Sequence, residues 1–359
     1  MSIRIIQGDC RQMLATLPAA SVQCCVTSPP YYGLRDYGVA WQIGLEPSPD
    51  EYVARMVKVF HEVRRVLRDD GVLFLNLGDS YARSEAKGGS GPGGKNVAAY
   101  GEAYGLAQSA KCGSSDGAVG RGARPRSRLA ADGVKCKDLL MIPAQVALAL
   151  RADGWFLRSD IIWHKPNPMP ESVTDRPTSA HEHVFLLTKS ARYFYDADAI
   201  RQPLAEASYS RLAQDIEGQT GSTRANGGAK TNGTMKAVRF GGNKGQGDHG
   251  SASRRASGNE WNPQTETANA RNVWTIPTQP YSGAHFATMP PKLAEKCIKA
   301  GSRPGDTVLD PFGGAGTTGL VADRLKRDAI LIELNPTYAD LARDRLVADA
   351  GMFGDVSNG

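Results

Sequence analysis

The sequence predicts an α/β fold in which a parallel sheet is covered by helices on both faces. Two observations carry this prediction: short apolar strands alternate with helical segments along the chain, and the turns between them are short. A third is size, because 359 residues with 41% hydrophobic composition can bury a large core. No internal repeat is visible.

Each predicted element follows from its pattern of apolar residues. Residues 49–67 repeat apolar side chains at helical spacing, whereas residues 22–27 form the continuous apolar run typical of a buried strand. Residues 69–71, Asp-Asp-Gly, are expected to end the helix before the next strand. The predicted strands are residues 3–7, 22–27, 72–77, 155–163, 181–187, 307–310 and 329–333, and the predicted helices are residues 11–17, 49–67, 139–151, 316–325 and 336–347.

Positive charge is concentrated in two glycine-rich segments. Residues 82–137 contain 12 glycines, with ten basic against four acidic residues, and residues 201–260 contain 11 glycines, with nine against five. The whole chain has a formal charge of only +6. Segments of this kind either bind a polyanion or serve as solvated linkers, and composition favours neither.

Membrane and disulfide-bonded classes are excluded by composition. No apolar run approaches the roughly 18 residues of a membrane span, and the first residues lack the apolar stretch of a signal peptide, so a cytoplasmic protein is expected. The cysteines form no CxxC pair, which predicts free thiols. No metal is expected at His181 and His183, because no third ligand completes a site. The cysteines are Cys10, Cys24, Cys25, Cys112, Cys136 and Cys297.

A glycine-rich loop in the last quarter of the chain predicts a nucleotide site. Gly314, Gly316 and Gly319 have GxGxxG spacing between a predicted strand and a predicted helix. Glu333 ends the next strand 23 residues after Asp310, a spacing at which a carboxylate can accept both hydroxyls of a ribose. An adenosine-containing ligand is therefore expected, and a turn used only for packing is the alternative.

The residues before the glycines distinguish between adenosine ligands. The predicted strand ends at Asp310 and continues as Pro311-Phe312, whereas a dinucleotide fingerprint has glycine directly after the strand. A carboxylate here would repel a pyrophosphate but can hold the ammonium of an amino acid. The loop therefore favours S-adenosylmethionine over NAD.

A second motif, Ser28-Pro29-Pro30-Tyr31, follows the predicted strand at residues 22–27. Prolines fix the backbone, so the turn can aim a carbonyl rigidly into a cleft. If the Ser28 side chain and the Pro29 carbonyl accept the two hydrogens of an exocyclic amino group, its nitrogen can pyramidalise and attack a methyl sulfonium in line. Tyr31 would stack on the extracted base. The alternative is a plain strand-terminating turn.

The two motifs and their order resemble the beta-class DNA amino methyltransferases of bacteria and phages. In that family a (Ser/Asp/Asn)-Pro-Pro-Tyr element precedes the S-adenosylmethionine element, as it does here. The resemblance implies a Rossmann-like class I methyltransferase sheet with circularly permuted motif order, interrupted by the basic Gly-rich insertions. The segments that carry it are Gly8-Asp9-Cys10 and residues 27–31, 62–79, 160–194, 285–293 and 310–335.

The resemblance also implies roles for individual residues. Asp9 would accept from the adenine amino group beside the Cys10 amide, and Glu333 would hold the ribose hydroxyls, while His285 and Phe286 close over the cofactor. The residues implied at the cofactor are Asp9, Cys10, His285, Phe286, Asp310, Phe312, Gly314, Gly316, Thr317 and Glu333, and those of the catalytic turn are Ser28, Pro29, Pro30 and Tyr31.

DNA contacts are expected in the basic segments. Their arginines and asparagines can read base edges or touch phosphates, and Lys165 is a candidate phosphate contact. The other candidates are Arg254, Arg255, Asn226 and Asn232. The implied segments are 1–81 (catalytic-turn half), 82–137 (basic insertion), 138–190 (core continued), 191–274 (target-recognition region) and 275–359 (cofactor-binding half).

The expected function is methyl transfer to cytosine N4 or adenine N6 of a flipped base in double-stranded DNA. An RNA or protein amino-group methyltransferase is disfavoured by the motif order, and a non-catalytic DNA-binding relative by the intact motifs. Methylation at cytosine C5 needs a cysteine nucleophile, usually after a proline, and none of the six cysteines follows one. In the family that the chain resembles, a serine at the first position of the turn favours cytosine N4 and an aspartate favours adenine N6, with exceptions both ways, so Ser28 leaves both bases open. A homodimer and a restriction enzyme partner, or an orphan enzyme, fit a bacterial or phage origin.

Overall fold

The computed structural model describes residues 1–82, 134–135, 137–204, 267–279, 289–350 and 355–358. The chain divides into two compact units, one formed by residues 1–200 and 271–359 and the other by residues 201–270. In the described part of the smaller unit, two short antiparallel strands pair Gln202 with Ala268 and Pro203 with Thr267.

Strands and helices alternate along the larger unit, whereas the two short strands at residues 202–203 and 267–268 belong to the smaller unit. The strands of the described residues are β1 (Ser2–Gln7), β2 (Val22–Thr27), β3 (Leu67–Leu77), β4 (Phe156–His164), β5 (His181–Thr188), β6 (Gln202–Pro203), β7 (Thr267–Ala268), β8 (Val273–Thr275), β9 (Thr307–Asp310), β10 (Asp328–Glu333) and β11 (Asp355–Asn358). The helices are α1 (Cys10–Thr16), α2 (Pro49–Val66), α3 (Ile142–Ala152), α4 (Pro291–Gly301), α5 (Thr317–Arg324) and α6 (Pro336–Ala350), with a short 3-10 helix at Asp198–Ile200.

Nine of these strands form one mixed sheet in the order β11-β1-β10-β9-β2-β3-β5-β4-β8. The α/β prediction is therefore confirmed, but the expectation of a parallel sheet needs a correction. Strand β5 pairs antiparallel with both β3 and β4, while the other pairings in the sheet are parallel. The described chain between β4 and β5 contains no crossover helix, so the second strand runs back alongside the first.

Helices cover both faces of the sheet, as predicted. Cys25, Leu73 and Leu75 belong to one buried cluster with α1, α2 and α3. Their alternate neighbours point to the opposite face, where Gly301 of α4 lies against Cys24 and Phe74. Strand β2 is consequently buried along its whole length.

Several boundaries differ from the predictions. Strand β3 begins at Leu67, directly where α2 ends, so residues 69–71 lie within the strand rather than in a turn. Helix α3 begins at Ile142 instead of 139, and Pro143 occupies its first turn, where a missing N–H costs nothing. Helix α4 and strands β8 and β11 were not predicted.

Two further expectations bear on the class of protein. Among the described residues, no helix is long and apolar enough to cross a membrane. Cys10, Cys24, Cys25 and Cys297 are buried free thiols. Cys112 and Cys136 lie outside the described residues.

Candidate active site

A cavity of about 680 Å³ lies where the carboxyl ends of β1, β2 and β10 meet. This is the edge of an α/β sheet at which ligands bind. The cavity brings together segments far apart in the sequence. The candidate site residues in its wall are Asp9, Cys10, Ser28, Pro29, Pro30, Tyr31, Lys165, Phe312, Gly314 and Glu333.

The Ser28-Pro29-Pro30-Tyr31 turn is fixed from behind by α2. The Tyr52 hydroxyl donates to the Pro30 carbonyl over 2.9 Å, and the Tyr52 side chain is fully buried. The ring of Pro30 also restricts its φ angle, so the hydrogen bond from Tyr52 and the proline together limit the motion of the turn. The turn is therefore a rigid part of the cavity wall.

The Tyr31 hydroxyl lies in a cluster of four polar side chains, Ser28, Tyr31, Asn76 and Glu182, which we call the Tyr31 cluster. Tyr31 Oη donates to Glu182 Oε2 over 2.5 Å, and Ser28 Oγ lies 3.3 Å from Tyr31 Oη. Asn76 Nδ2 donates to Tyr31 Oη over 2.8 Å and to Glu182 Oε2 over 2.9 Å. Burial, followed by the negative charge of Glu182, raises the pKa of the Tyr31 phenol well above its usual range, so the phenol is a neutral donor.

Lys165 completes the charge balance of this cluster. Its ammonium pairs with Glu182 Oε1 and lies 4.7 Å from the ring centroid of Trp163. Trp163 is buried and donates from Nε1 to the Ile276 carbonyl over 2.8 Å. The structure thus places Lys165 in the cavity wall, paired with Glu182, and its contact with phosphate stays a prediction.

On the opposite side, Asp310 supports the glycine loop from behind. Its carboxylate is buried and accepts from Thr27 Oγ1, Thr318 Oγ1 and the Phe312 amide, over 2.6, 2.7 and 3.0 Å. Burial raises the pKa of this carboxyl, although the hydrogen bonds oppose the rise. Asp310 is absent from the cavity wall, so the structure makes it a positioning residue, and its contact with a methionine ammonium stays a prediction.

Gly316 and Thr317 also lie behind the loop. Gly316 has a φ of +75°, and a Cβ there would lie 3.0 Å from Ala342 Cβ of α6, so both conformation and packing require glycine. Thr317 Oγ1 accepts from Arg345 over 2.9 Å. These two residues seat the start of α5 against α6, and the structure does not bring them to the cavity wall.

Glu333 ends β10 and organises the loop that faces the cavity. Its Oε2 accepts from the Gly314 amide and its Oε1 from the Asn335 amide, each over 2.8 Å. Burial raises the pKa of Glu333 above its ordinary value. Each carboxylate oxygen has a second lone pair, so the pair can still accept from two hydroxyl groups.

Asp9 begins α1 on the same side of the cavity. Asp9 Oδ1 accepts from the Arg11 amide over 2.9 Å, and the Arg11 guanidinium pairs with the carboxylate. Burial would raise the pKa of Asp9, but the hydrogen bonds and charge of Arg11 outweigh it and lower the pKa. Burial raises the pKa of the Cys10 thiol to about 12, so its backbone amide is the polar group that it can offer.

Some predicted site residues cannot be placed. His285, Phe286, Arg254, Arg255, Asn226 and Asn232 lie outside the described residues. His183 stacks on Phe185, and its Nδ1 lies 2.9 Å from Asp160 Oδ1. Within the described ranges, no group of three or more His, Cys, Asp or Glu side chains could hold a metal ion.

Sequence reasoning missed Glu182 and Asn76. Glu182 lies between His181 and His183 on β5, and alternation along a strand turns it to the face opposite those histidines. Register pairs Glu182 with Trp163 and Val184 with Asn76, so all four side chains share one face of the sheet. The alternation of side chains along β5 could have singled out Glu182, but only if β5 were known to run antiparallel to its neighbours.

Comparison with known proteins identifies the class to which this fold and cavity belong. A family model for N6/N4 methyltransferases, described as DNA methylase, matches residues 22–344. The chain therefore belongs to the N6/N4 DNA methylase family. The expectation of a DNA amino methyltransferase is confirmed at the level of the family.

Individual relatives are similar over nearly the whole chain. The type II methyltransferase M.XycI of Xanthomonas campestris pv. cyanopsidis is 41% identical over 342 residues, which cover 95% of this chain and 87% of the relative. The type II methyltransferase M.SmaI of Serratia marcescens is 38% identical over 346 residues, with 96% and 91% covered.

Two solved structures share the fold. The PvuII DNA methyltransferase (cytosine-N4-specific) matches with a TM-score of 0.55 at 17% identity, covering 100% of this chain and 95% of that one. TTHA0409 from Thermus thermophilus, complexed with S-adenosyl-L-methionine, matches with a TM-score of 0.53 at 22% identity, covering 100% and 99%.

Proposed function

We propose that this chain transfers a methyl group from S-adenosylmethionine to an exocyclic amino nitrogen, cytosine N4 or adenine N6, of a base flipped out of double-stranded DNA. The observation that carries the proposal is that one cavity wall joins the Ser28-Pro29-Pro30-Tyr31 turn to the Gly314 and Glu333 side of the glycine loop. Membership in the DNA methylase family supports DNA as the substrate.

The cavity fits the cofactor by volume and chemistry. About 680 Å³ lies within the range of pockets for small molecules, and its wall offers aromatic and polar groups together. Asp9 and Glu333 are the carboxylates suited to the adenine amino group and the ribose hydroxyls, with Phe312 against the adenosine. When bound, S-adenosylmethionine supplies the electrophilic methyl group.

The catalytic turn prepares the acceptor nitrogen. Ser28 Oγ and the Pro29 carbonyl accept the two amino hydrogens, which draws the nitrogen lone pair out of conjugation and directs it toward the methyl group. Because the turn is held by Tyr52 and by its prolines, this alignment is present before the base enters. Tyr31 lines the space that the flipped base would occupy.

The chain order supports a circularly permuted methyltransferase. The catalytic turn at residues 28–31 precedes the glycine loop at residues 310–319. We infer that residues 1–81, 138–190 and 275–359 form the methyltransferase domain, that residues 191–274 recognise the target sequence, and that residues 82–137 form a basic insertion along the DNA. The smaller unit, residues 201–270, falls inside the inferred recognition region.

The partners that we propose follow from the relatives of the chain. Similarity to type II methyltransferases supports a place in a restriction-modification system, beside an endonuclease or as an orphan. A homodimer would let basic segments of two copies share one duplex, and light scattering of the purified chain measures this. Such a system fits a cytoplasmic enzyme that is encoded by a bacterium or a phage.

The test is single-molecule sequencing of plasmid DNA from cells that express the wild type, a Tyr31→Ala variant or an exposed-site control, Asp340→Asn. We expect one methylated base at one short motif in wild type and control, and its loss in Tyr31→Ala. The identity of the methylated base also decides between N4-methylcytosine and N6-methyladenine. Absence of any mark from wild-type DNA would overturn the proposal.

A further inference from the structure

We propose, resting on the function proposed above, that Glu182 is the terminal proton acceptor of the methyl transfer and that Ser28 and Tyr31 conduct the proton to it. In the Tyr31 cluster, three polar side chains form a continuous path from the catalytic turn to one carboxylate. Ser28 Oγ lies 3.3 Å from Tyr31 Oη, which lies 2.5 Å from Glu182 Oε2.

The directions of the hydrogen bonds follow from what each group can donate. An ionised carboxylate only accepts, so the single hydrogen of Tyr31 points to Glu182. Tyr31 Oη must then accept from Ser28, whose hydrogen points away from the cavity. A lone pair of Ser28 Oγ is left to face the amino group of the base.

Asn76 supports the same direction of the hydrogen bonds in the cluster. Its Nδ2 lies 2.9 Å from Glu182 Oε2, a position that a carboxylate tolerates only for a donor. Asn76 Oδ1 is buried and has no hydrogen-bond partner in the described part of the chain. A polar oxygen left unpaired in this way costs stability, so the cluster holds the donor side of the amide toward Glu182 despite that cost.

The reaction needs an acceptor of this kind. The nitrogen lone pair forms the new N–CH₃ bond while the S–CH₃ bond breaks, and its electron pair goes to sulfur. The methylated base is left with a positive charge and must lose one N–H proton. That proton passes to Ser28 Oγ as the Ser28 proton passes to Tyr31 and the Tyr31 proton to Glu182, so the carboxylate ends neutral and both hydroxyls are restored.

Other groups in the wall do not offer this path. The carboxylates in the described wall are Asp9, Glu182 and Glu333. Asp9 is paired with Arg11, and Glu333 accepts from two loop amides on the glycine-loop side. Glu182 is the one with a hydrogen bond to a residue of the catalytic turn.

Lys165 holds the other oxygen of the proposed acceptor. Its ammonium pairs with Glu182 Oε1, the oxygen opposite the one that faces Tyr31. The ion pair fixes the position of the carboxylate and leaves Oε2 directed at the Tyr31 hydroxyl. In the described residues, the titratable side chains that hydrogen-bond or ion-pair with Glu182 are Tyr31 and Lys165.

The test compares full-length wild type with Glu182→Gln, Tyr31→Phe and a matched control, Glu295→Gln on α4. Glutamine keeps an oxygen that accepts the hydrogen bond from Tyr31 but cannot take up a proton. The Glu182→Gln variant therefore tests proton transfer while the hydrogen bond is retained. Single-turnover methylation of plasmid DNA with tritiated S-adenosylmethionine is measured, together with the melting temperature and, by calorimetry, the affinity for the cofactor.

We expect Glu182→Gln and Tyr31→Phe to lower the single-turnover rate by about 100-fold or more, with melting temperature and cofactor affinity unchanged. An active wild type with equally active Glu182→Gln overturns the relay alone, whereas a wild type that methylates no DNA overturns the proposed function and the relay with it.

Discussion

Thr27 Oγ1 donates a hydrogen bond to Asp310 Oδ1 over 2.6 Å, which ties the last residue of β2 to the last residue of β9. The next residue after Thr27 begins the catalytic turn, and the residues after Asp310 begin the glycine loop. Both partners are buried, so water does not compete for the bond. Together with the pairing of β2 and β9, this side-chain contact holds the two halves of the cavity in one spatial relation.

Replacing Thr27 by valine removes this hydrogen bond and keeps the shape of the side chain. The loss leaves a buried Asp310 oxygen with one donor fewer, so we expect the free energy of unfolding to fall by about 1–3 kcal/mol and methylation to slow. Urea denaturation and single-turnover assays measure the two effects. Thr16→Val is the matched control, because that hydroxyl is exposed at the end of α1. Equal stability of Thr27→Val and wild type would contradict the proposed link.

The pH dependence of stability reports on Asp310. Burial raises its pKa above the ordinary 3.8, so at pH values between 3.8 and the folded pKa the native state binds a proton that the unfolded chain does not. The carboxyl therefore contributes more stability as pH falls through its folded pKa. We expect the stability of wild type relative to Asp310→Asn to increase as pH is lowered from neutral toward 3.8.

Thermal melts at several pH values measure this difference. Asp340→Asn, at an exposed carboxyl of α6, is the control and should follow wild type at each pH. A constant gap between wild type and Asp310→Asn would show that the carboxyl is ionised in the native state throughout.

Gly78 leaves room for the Tyr31 ring. A Cβ at position 78 would lie 2.6 Å from Tyr31 Cε2, closer than real side chains approach. Gly78→Ala should therefore push the ring away and break its bond to Glu182, with a loss of activity of about tenfold or more and at most about 1–3 kcal/mol of stability. Ser80→Ala nearby is the control, since its buried hydroxyl has no partner among the described residues. Full activity of Gly78→Ala would mean that the ring position is irrelevant.

Glu333→Gln tests the ribose assignment. A carboxylate accepts from two hydroxyls, whereas an amide offers one acceptor atom, and bonds to charged groups are worth about 1.5–3 kcal/mol. We expect affinity for S-adenosylmethionine to fall about tenfold to 100-fold in calorimetry. Glu62→Gln on α2 should bind like wild type. Unchanged affinity in Glu333→Gln would remove Glu333 from the cofactor site.

The basic segments make a prediction about salt. If residues 82–137 and 201–260 neutralise phosphates, DNA affinity should fall steeply with salt concentration because counterions are released on binding. Fluorescence anisotropy with labelled duplex measures the slope, and deletion of residues 201–260 should flatten it. A flat response in wild type would assign these segments another role.

Local sequence pattern was sufficient for the parallel part of the fold. Strands β1, β2, β9 and β10 lie within one residue of their predicted bounds, because each is a short apolar run between clear turn residues. Helix α4 was missed, since Pro290-Pro291 resembles a turn although proline is well suited to the first position of a helix. Strand β8 has three residues, too few for a periodic signal.

The candidate site was predicted in composition but not in arrangement. The motifs located the turn and the loop, yet Thr27, Asn76 and Glu182, which bind Asp310 or Tyr31, come from strands whose order and direction depend on long-range pairing. Glu182 is the clearest case, because only the reversed direction of β5 brings the start of that strand to the edge where its neighbours end.

The pairing of β1 with β10 has a consequence for biosynthesis. Ser2 and Asp328 are hydrogen-bonded across 326 positions, and β9 covers one edge of the buried strand β2. A nascent chain emerging from the ribosome therefore presents apolar strands whose neighbours have not yet been translated. Such a topology folds slowly and exposes unpaired strand edges meanwhile. Chaperone supply and slower synthesis at low temperature should therefore raise the yield of active enzyme.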